Sequence, residues 1–121
     1  MTARTPLEDL LVGGLEDWAD AGWALQSARL TGETDPIAMR DLTLDLIAET
    51  LRKGLMTAGD IIGNEHVPWH GDPEQWVKRI RLEWLDEWRD DVPSPGAIVW
   101  LSNTPAGDQI ARDVLTREGG Q

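Results

Sequence analysis

Cysteine, phenylalanine and tyrosine are all missing from this chain of 121 residues, and only two histidines are present. Without cysteine there are no disulfides, no thiolate metal sites and no cysteine nucleophile. No stretch approaches the ~20 apolar residues of a membrane span. The opening Met-Thr-Ala-Arg-Thr-Pro-Leu-Glu-Asp carries acids where a signal peptide needs an apolar run, so a cytoplasmic, bacterial-type protein is expected. A glycine-rich phosphate loop is absent, and Ser27, Ser94 and Ser102 lack a nucleophile-elbow context. Carboxylate pairs are too common for any to stand out as an acid–base dyad. With no set of nucleophile, base and orienter, the chain reads as a non-enzyme, and no cofactor is implied.

Positive charge is also scarce: 11 Lys and Arg stand against 22 Asp and Glu, a net charge of −11. The excess is spread along the chain, and only residues 73–89 balance, with four charges of each sign. Such a field repels phosphate backbones, which need Lys and Arg to neutralise them. It attracts basic partners and speeds their encounter. Solubility alone is the plainer explanation of the same charge.

What the chain does have is tryptophan. Seven of them, at positions 18, 23, 69, 76, 84, 88 and 100, are the only aromatic residues. Each brings roughly 150–250 Å² of surface and one N–H that wants a partner when buried. The same stock must therefore serve core and binding surface alike.

The length suits one domain, residues 1–121, with 1–5 and 117–121 expected to fray. Thr5-Pro6-Leu7-Glu8 is a capping box that opens a short helix, ended by Gly13-Gly14. A second helix is expected from about Leu15 to Leu30, with Trp18, Ala21, Gly22, Leu25 and Ala28 on one face. Asp35-Pro36 opens the longest, running to about Lys53, where Gly54 supplies the left-handed cap. Leu55-Met56-Thr57 reads as a short strand, and Thr57 to Gly71 as a loop broken by Gly59, Gly63, Pro68 and Gly71. Asp72-Pro73 starts a helix to about Arg89, Ala97–Leu101 is the best strand, and Thr104-Pro105 caps a last helix to about Leu115.

Three constellations bear on chemistry. His66, His70 and Asp72 lie within one short stretch and are a weak metal candidate, because Pro68 argues against the helix that would align two histidines four apart. Asp41, Asp45 and Glu49 line up at intervals of four on the long helix, either as a solvated face or as a docking stripe for a basic surface. Trp76, Ile80, Trp84 and Trp88 form a row at helical spacing, for which core is the default. Trp18, Trp84 and Trp100 are expected inside. Trp69, beside Pro68, and Trp76 and Trp88, at the two ends of their helix, are the candidate exposed anchors, since tryptophan is enriched among binding hot spots. Trp23 falls off its stripe and fits either role.

Two segments resemble winged-helix domains. Thr50-Leu51-Arg52-Lys53-Gly54-Leu55 looks like the end of a recognition helix entering a wing strand. Val99 to Gly107 looks like the returning strand and the Thr-Pro-x-Gly helix start of bacterial winged-helix regulators. The wider layout, over residues 16–112, is similar to a group of uncharacterised bacterial proteins. Two departures stand out: a long helix, residues 73–89, occupies the place of a short wing, and Asp41, Asp45 and Glu49 would face phosphates.

The expected architecture is mainly α (α+β): four to five helices with a small two-stranded β element and winged-helix-like connectivity. The expected function is a non-catalytic acidic module that binds a basic protein through Asp41, Asp45, Glu49, Trp69, Trp76 and Trp88. An immunity protein or antitoxin against a cationic nuclease is its concrete form. A winged-helix DNA-binding regulator is the alternative, and an orphan enzyme or small-ligand binder comes third.

Overall fold

Four carboxylates and hydroxyls placed just ahead of apolar runs start four helices in the computed structural model, which describes residues 3–119. Thr5 and Glu8 form the reciprocal capping box of α1 (Pro6–Gly13). Asp20 caps α2 (Ala21–Ala28), Asp35 caps α3 (Pro36–Arg52), and Asp72 with Gln75 boxes the start of α4 (Pro73–Glu83). In each case a side-chain oxygen accepts from a backbone N–H that the first helical turn leaves unpaired. The last helix, α5 (Pro105–Gly119), outruns the expected end near Leu115.

Four strands form one antiparallel sheet, where two were expected: β1 (Ala19–Asp20), β2 (Met56–Ile62), β3 (Glu65–Pro68) and β4 (Trp100–Asn103), in the order β1-β4-β2-β3. The segment 57–71 is therefore a hairpin, and its apparent breakers are sheet devices. Gly63 takes φ +65° in the two-residue turn, as a hairpin of this type requires. Gly59 faces the β3 backbone so closely that a Cβ would collide with the Val67 carbonyl. Pro68 lies on the edge strand, the one place in a sheet where a missing N–H is tolerated.

Three further boundaries move. The expected helix from Leu15 starts only at Ala21, because Ala19 and Asp20 pair with Leu101 and Trp100 before Asp20 caps the turn. Trp18 thus precedes a strand instead of riding a helix. The strand expected at 97–101 shifts to 100–103, because Ile98 adopts φ +74° and interrupts the extended run. The helix expected to reach Arg89 gives way after Glu83 to one wide π-type turn, Trp84–Trp88, which Arg89 closes at φ +53°.

The core gathers Leu10 and Leu11 of α1, Ile47 and Leu51 of α3, Ile80 of α4, Met56 and Leu101 of the sheet, and Trp84, the largest fully buried side chain. The buried hydroxyls are all satisfied: Thr43 donates to the Met39 carbonyl at 2.7 Å, Thr50 to the Ile47 carbonyl at 2.8 Å, and Ser27 to Asp9 of α1 at 2.8 Å.

The two ends of the chain meet. Arg4 makes a forked pair with Glu118 at 2.6 and 2.7 Å and reaches Asp9 at 3.1 Å, while Arg117 pairs with Glu8 at 3.0 Å. Residues 3–5 and 117–119, which the sequence marks for fraying, carry this clamp; residues 1–2 and 120–121 lie outside the described residues. Hydrogen bonds from Arg117 and Arg4 hold the Glu8 and Glu118 carboxyls below the ordinary value of 4.5. A depressed carboxylate contributes stability that is complete above its unfolded value and is lost as pH falls through its folded value. Melting temperature should therefore hold or rise from pH 7 towards 5, as self-repulsion at net charge −11 is relieved, and then fall below 4.5. Circular dichroism of a variant with Arg4→Ala and Arg117→Ala should give a shallower acid fall. Parallel curves for the two proteins would show that the clamp contributes nothing.

Candidate functional site

The acidic stripe of α3 does reach solvent, but it is occupied. Asp41 pairs with Arg40 at 3.0 Å, Asp45 with Arg81 of α4 at 3.1 Å, and Glu49 with Lys53 at 2.7 Å. One helical turn beyond Glu49, Arg52 grips Glu74 of α4 at 2.7 Å, and that hydrogen bond lowers the Glu74 carboxyl and raises the Arg52 guanidinium. Charge on this face is thus largely returned to the protein itself. Exposed pairs of this kind are screened by solvent and contribute little, so they hold α4 against α3 only loosely.

His66, His70 and Asp72 do not converge. The His66 ring nitrogen Nε2 lies 2.9 Å from the Trp100 carbonyl and its ring sits 6.4 Å from that of Trp18. Asp72 is spent on its cap, and His70 is exposed with its carbonyl accepting from the Trp76 indole at 3.0 Å. No group of three or more metal-binding side chains assembles among the described residues. Nor does either histidine hydrogen-bond a serine or a carboxylate there; Ser27 donates to Asp9 at 2.8 Å. No helix among the described residues is long and apolar enough to cross a membrane.

The tryptophans sort differently from expectation. Trp69, expected as a candidate exposed anchor, is 8% exposed, because the hairpin carries it onto the domain and Arg79 lies over its ring at 3.6 Å. Trp76 and Trp88 are half-buried against the core instead of standing free. Trp18 and Trp100, expected inside, are half-buried too, and of the three expected in the core only Trp84 is enclosed. The exposed indole is Trp23, at 48%, with its ring lying over Gly13 at the end of α1.

Trp23 opens onto a feature that no local pattern announces. A cavity of about 470 Å³ lies between α2, the start of α3 and the segment after the π-type turn, with Leu25, Met39, Trp84 and Val92 on its walls. A second of about 430 Å³ adjoins it, bordered by Trp23, Pro93 and Pro95. Leu25, Arg29 and Val92 line both, so the two form one groove. Its outer wall, residues 89–98, is bracketed by Arg89 and Ile98, both at positive φ, a conformation that costs non-glycine residues roughly 1–3 kcal/mol each. The wall is tied down by Asp20, whose two oxygens accept from Trp23 N at 2.9 Å and from Gly96 N at 2.7 Å.

On this groove Asp90 and Asp91 make no ion pair among the described residues, in contrast to the α3 stripe, and the cations that line it are Arg29 and Arg40. Glu83, Asp86 and Glu87 in the preceding turns likewise make no ion pair among the described residues. The signals available in the sequence were the off-stripe position of Trp23 and the run Asp90-Asp91-Val92-Pro93. Set against known protein families, curated proteins and solved structures, the chain matches none.

Proposed function

We propose that this chain is a non-catalytic, acidic protein-binding module of the cytoplasm whose partner is a basic protein. Its most concrete form is an immunity protein or antitoxin that covers a cationic nuclease. The observation that carries the reading is the pair Asp90 and Asp91, which make no ion pair among the described residues, on a groove that continues to the exposed indole of Trp23. Free carboxylates steer and orient a cationic surface, and tryptophan supplies the anchor area that such contacts lack. The half-buried Trp76 and Trp88 fit a supporting role, and Trp69 would serve only if Arg79 moved aside. The α3 acids Asp41, Asp45 and Glu49 would join only by exchanging their present partners for those of the bound protein.

A DNA-binding regulator is the second reading, and one observation favours it. The element order α1-β1-α2-α3-β2, with β4 between β1 and β2 in the sheet, supports it, and on this reading β3 and α4 would take the place of a wing. Against it, the solvent face of α3 presents carboxylates, and α4 is paired across that face through Asp45–Arg81 and Arg52–Glu74. A groove-reading helix would need the opposite charge and a clear approach.

The test is affinity capture at low and high salt, followed by direct titration of the recovered protein. A basic partner with nuclease activity, inhibited at one-to-one stoichiometry and released by salt, is the expected result. Exchanging Asp90 and Asp91 for lysine should weaken it. A mobility shift of duplex DNA at low salt, with no basic protein recovered, would transfer the assignment to the second reading.

A further inference from the structure

We propose that the groove between α2 and the 89–98 segment seats an extended basic stretch of the partner protein. One apolar side chain of that stretch enters the Leu25–Met39–Trp84 cavity, and flanking lysines or arginines meet Asp90 and Asp91. The inference rests on the reading of the chain as a binder of basic proteins, and it names the surface that does the binding.

Three features carry it. The first is shape. A cavity of about 470 Å³ opens from an apolar floor towards a lip where Val92 is 59% exposed. An aliphatic side chain fits there as a knob, and the neighbouring trough beside Trp23, Pro93 and Pro95 continues the line for the backbone that follows.

Charge is the second feature. Asp9, Asp20, Glu33, Asp90 and Asp91 border the groove against Arg29 and Arg40. Asp9 is paired with Arg4, Asp20 is engaged by two backbone N–H groups and Arg40 is paired with Asp41, which leaves Glu33, Asp90 and Asp91 facing Arg29. Asp90 and Asp91 have no cationic partner among the described residues, so a lysine that docks there displaces nothing. An acidic peptide would meet the same carboxylates as repulsion, and an uncharged one would leave them unused.

Third is preorganisation. The far wall holds two prolines, and Pro93 is itself buried. Asp20 ties Gly96 at the end of this wall to the first turn of α2. A groove whose sides are fixed before binding spends little ordering entropy on its occupant.

The experiment uses the full chain and two short synthetic peptides of equal positive charge, built from alternating lysine and glycine. One carries a central leucine and the other a serine in its place. The readout is the set of indole N–H signals of the seven tryptophans, assigned by single Trp→Phe variants. The leucine peptide should move the signals of Trp23 and Trp84 and leave Trp69 and Trp76, which line a separate depression. It should bind about tenfold more tightly than the serine peptide, the value of one buried aliphatic side chain. Val92→Gln, at an exposed position, should remove that difference. Asp90→Asn with Asp91→Asn should weaken both peptides alike.

Equal affinity of the two peptides, with shifts away from Trp23 and Trp84, would overturn the groove and leave the broader reading standing. No binding of either peptide at low ionic strength would overturn both. Movement of Trp84 by a small apolar molecule such as cyclohexanol, but by neither peptide, would reassign the cavity to a small ligand and refute the proposal.

Discussion

Replacing Trp84 by alanine is expected to cost about 3–5 kcal/mol of folding stability, a large share of the roughly 5–15 kcal/mol that a domain of this size possesses. The ring is 1% exposed and belongs to the single hydrophobic core, sharing a cavity wall with Leu25 of α2 and Met39 of α3. The loss combines transferred apolar surface with the cavity left behind. Trp84→Phe separates hydrophobic content from polar fit, because the Trp84 Nε1 is buried with no hydrogen-bond partner among the described residues. Losing the larger ring opens a void of a few tens of Å³, worth roughly 1 kcal/mol at ~24 cal/mol per Å³. Deleting an unpaired buried donor returns about 1–3 kcal/mol. The two nearly cancel, so chemical denaturation should find Trp84→Phe close to the parent and Trp84→Ala far below it. A phenylalanine variant as damaged as the alanine one would mean that the indole N–H has a partner in solution.

Gly107→Ala is expected to destabilise, although alanine is favoured over glycine within a helix by about 1 kcal/mol. The sign reverses because the Leu55 carbonyl of the strand entry passes where the new Cβ would stand, and that atom is backbone and cannot rotate away. Thr104 explains why helix and carbonyl are so close. Its N–H donates to Leu55 O at 3.0 Å, its hydroxyl donates to Gly54 O at 2.6 Å, and the same oxygen accepts from Gly107 N at 3.2 Å. The first turn of α5 is thereby pressed onto the end of α3. Displacing it should cost about 1–3 kcal/mol or more, the usual range for overpacking. Gly119→Ala is the control: nothing among the described residues lies within 4 Å of its Cβ position, so the same change should be neutral or slightly favourable. Thermal melting of the two variants checks the contrast, and matching shifts would remove the argument.

The Thr-Pro-x-Gly start of α5 was legible in the sequence because each residue acts within its own turn, and so were the caps at Thr5, Asp35 and Asp72. The hairpin was not. Gly59 and Pro68 carry the same local signature whether they break a strand or fit into one, and only the partner strand decides between the two. Trp69 was misjudged for a related reason: its neighbours in sequence are loop-like, while its cover, Arg79, comes from the second turn of the following helix. The groove lay furthest from view, since Leu25, Met39, Trp84 and Val92 come from four separate segments. Of the α3 acids, Asp41 and Glu49 pair with Arg40 and Lys53 close by in sequence, whereas the neutralisation of Asp45 depends on Arg81 of α4, which no spacing rule brings alongside.

The position of Pro68 has a consequence for how these molecules behave when crowded together. β3 is an open margin of the sheet, and next to it Ile62 is 63% and Val67 39% exposed, the ingredients of strand-to-strand aggregation. That margin is only four residues long, begins with the charged Glu65 and ends in a residue with no N–H to offer a neighbour. The opposite margin, β1, spans just two residues before a helix begins. Each limit discourages a second copy from adding its own strand, and mutual repulsion at net charge −11 acts in the same direction.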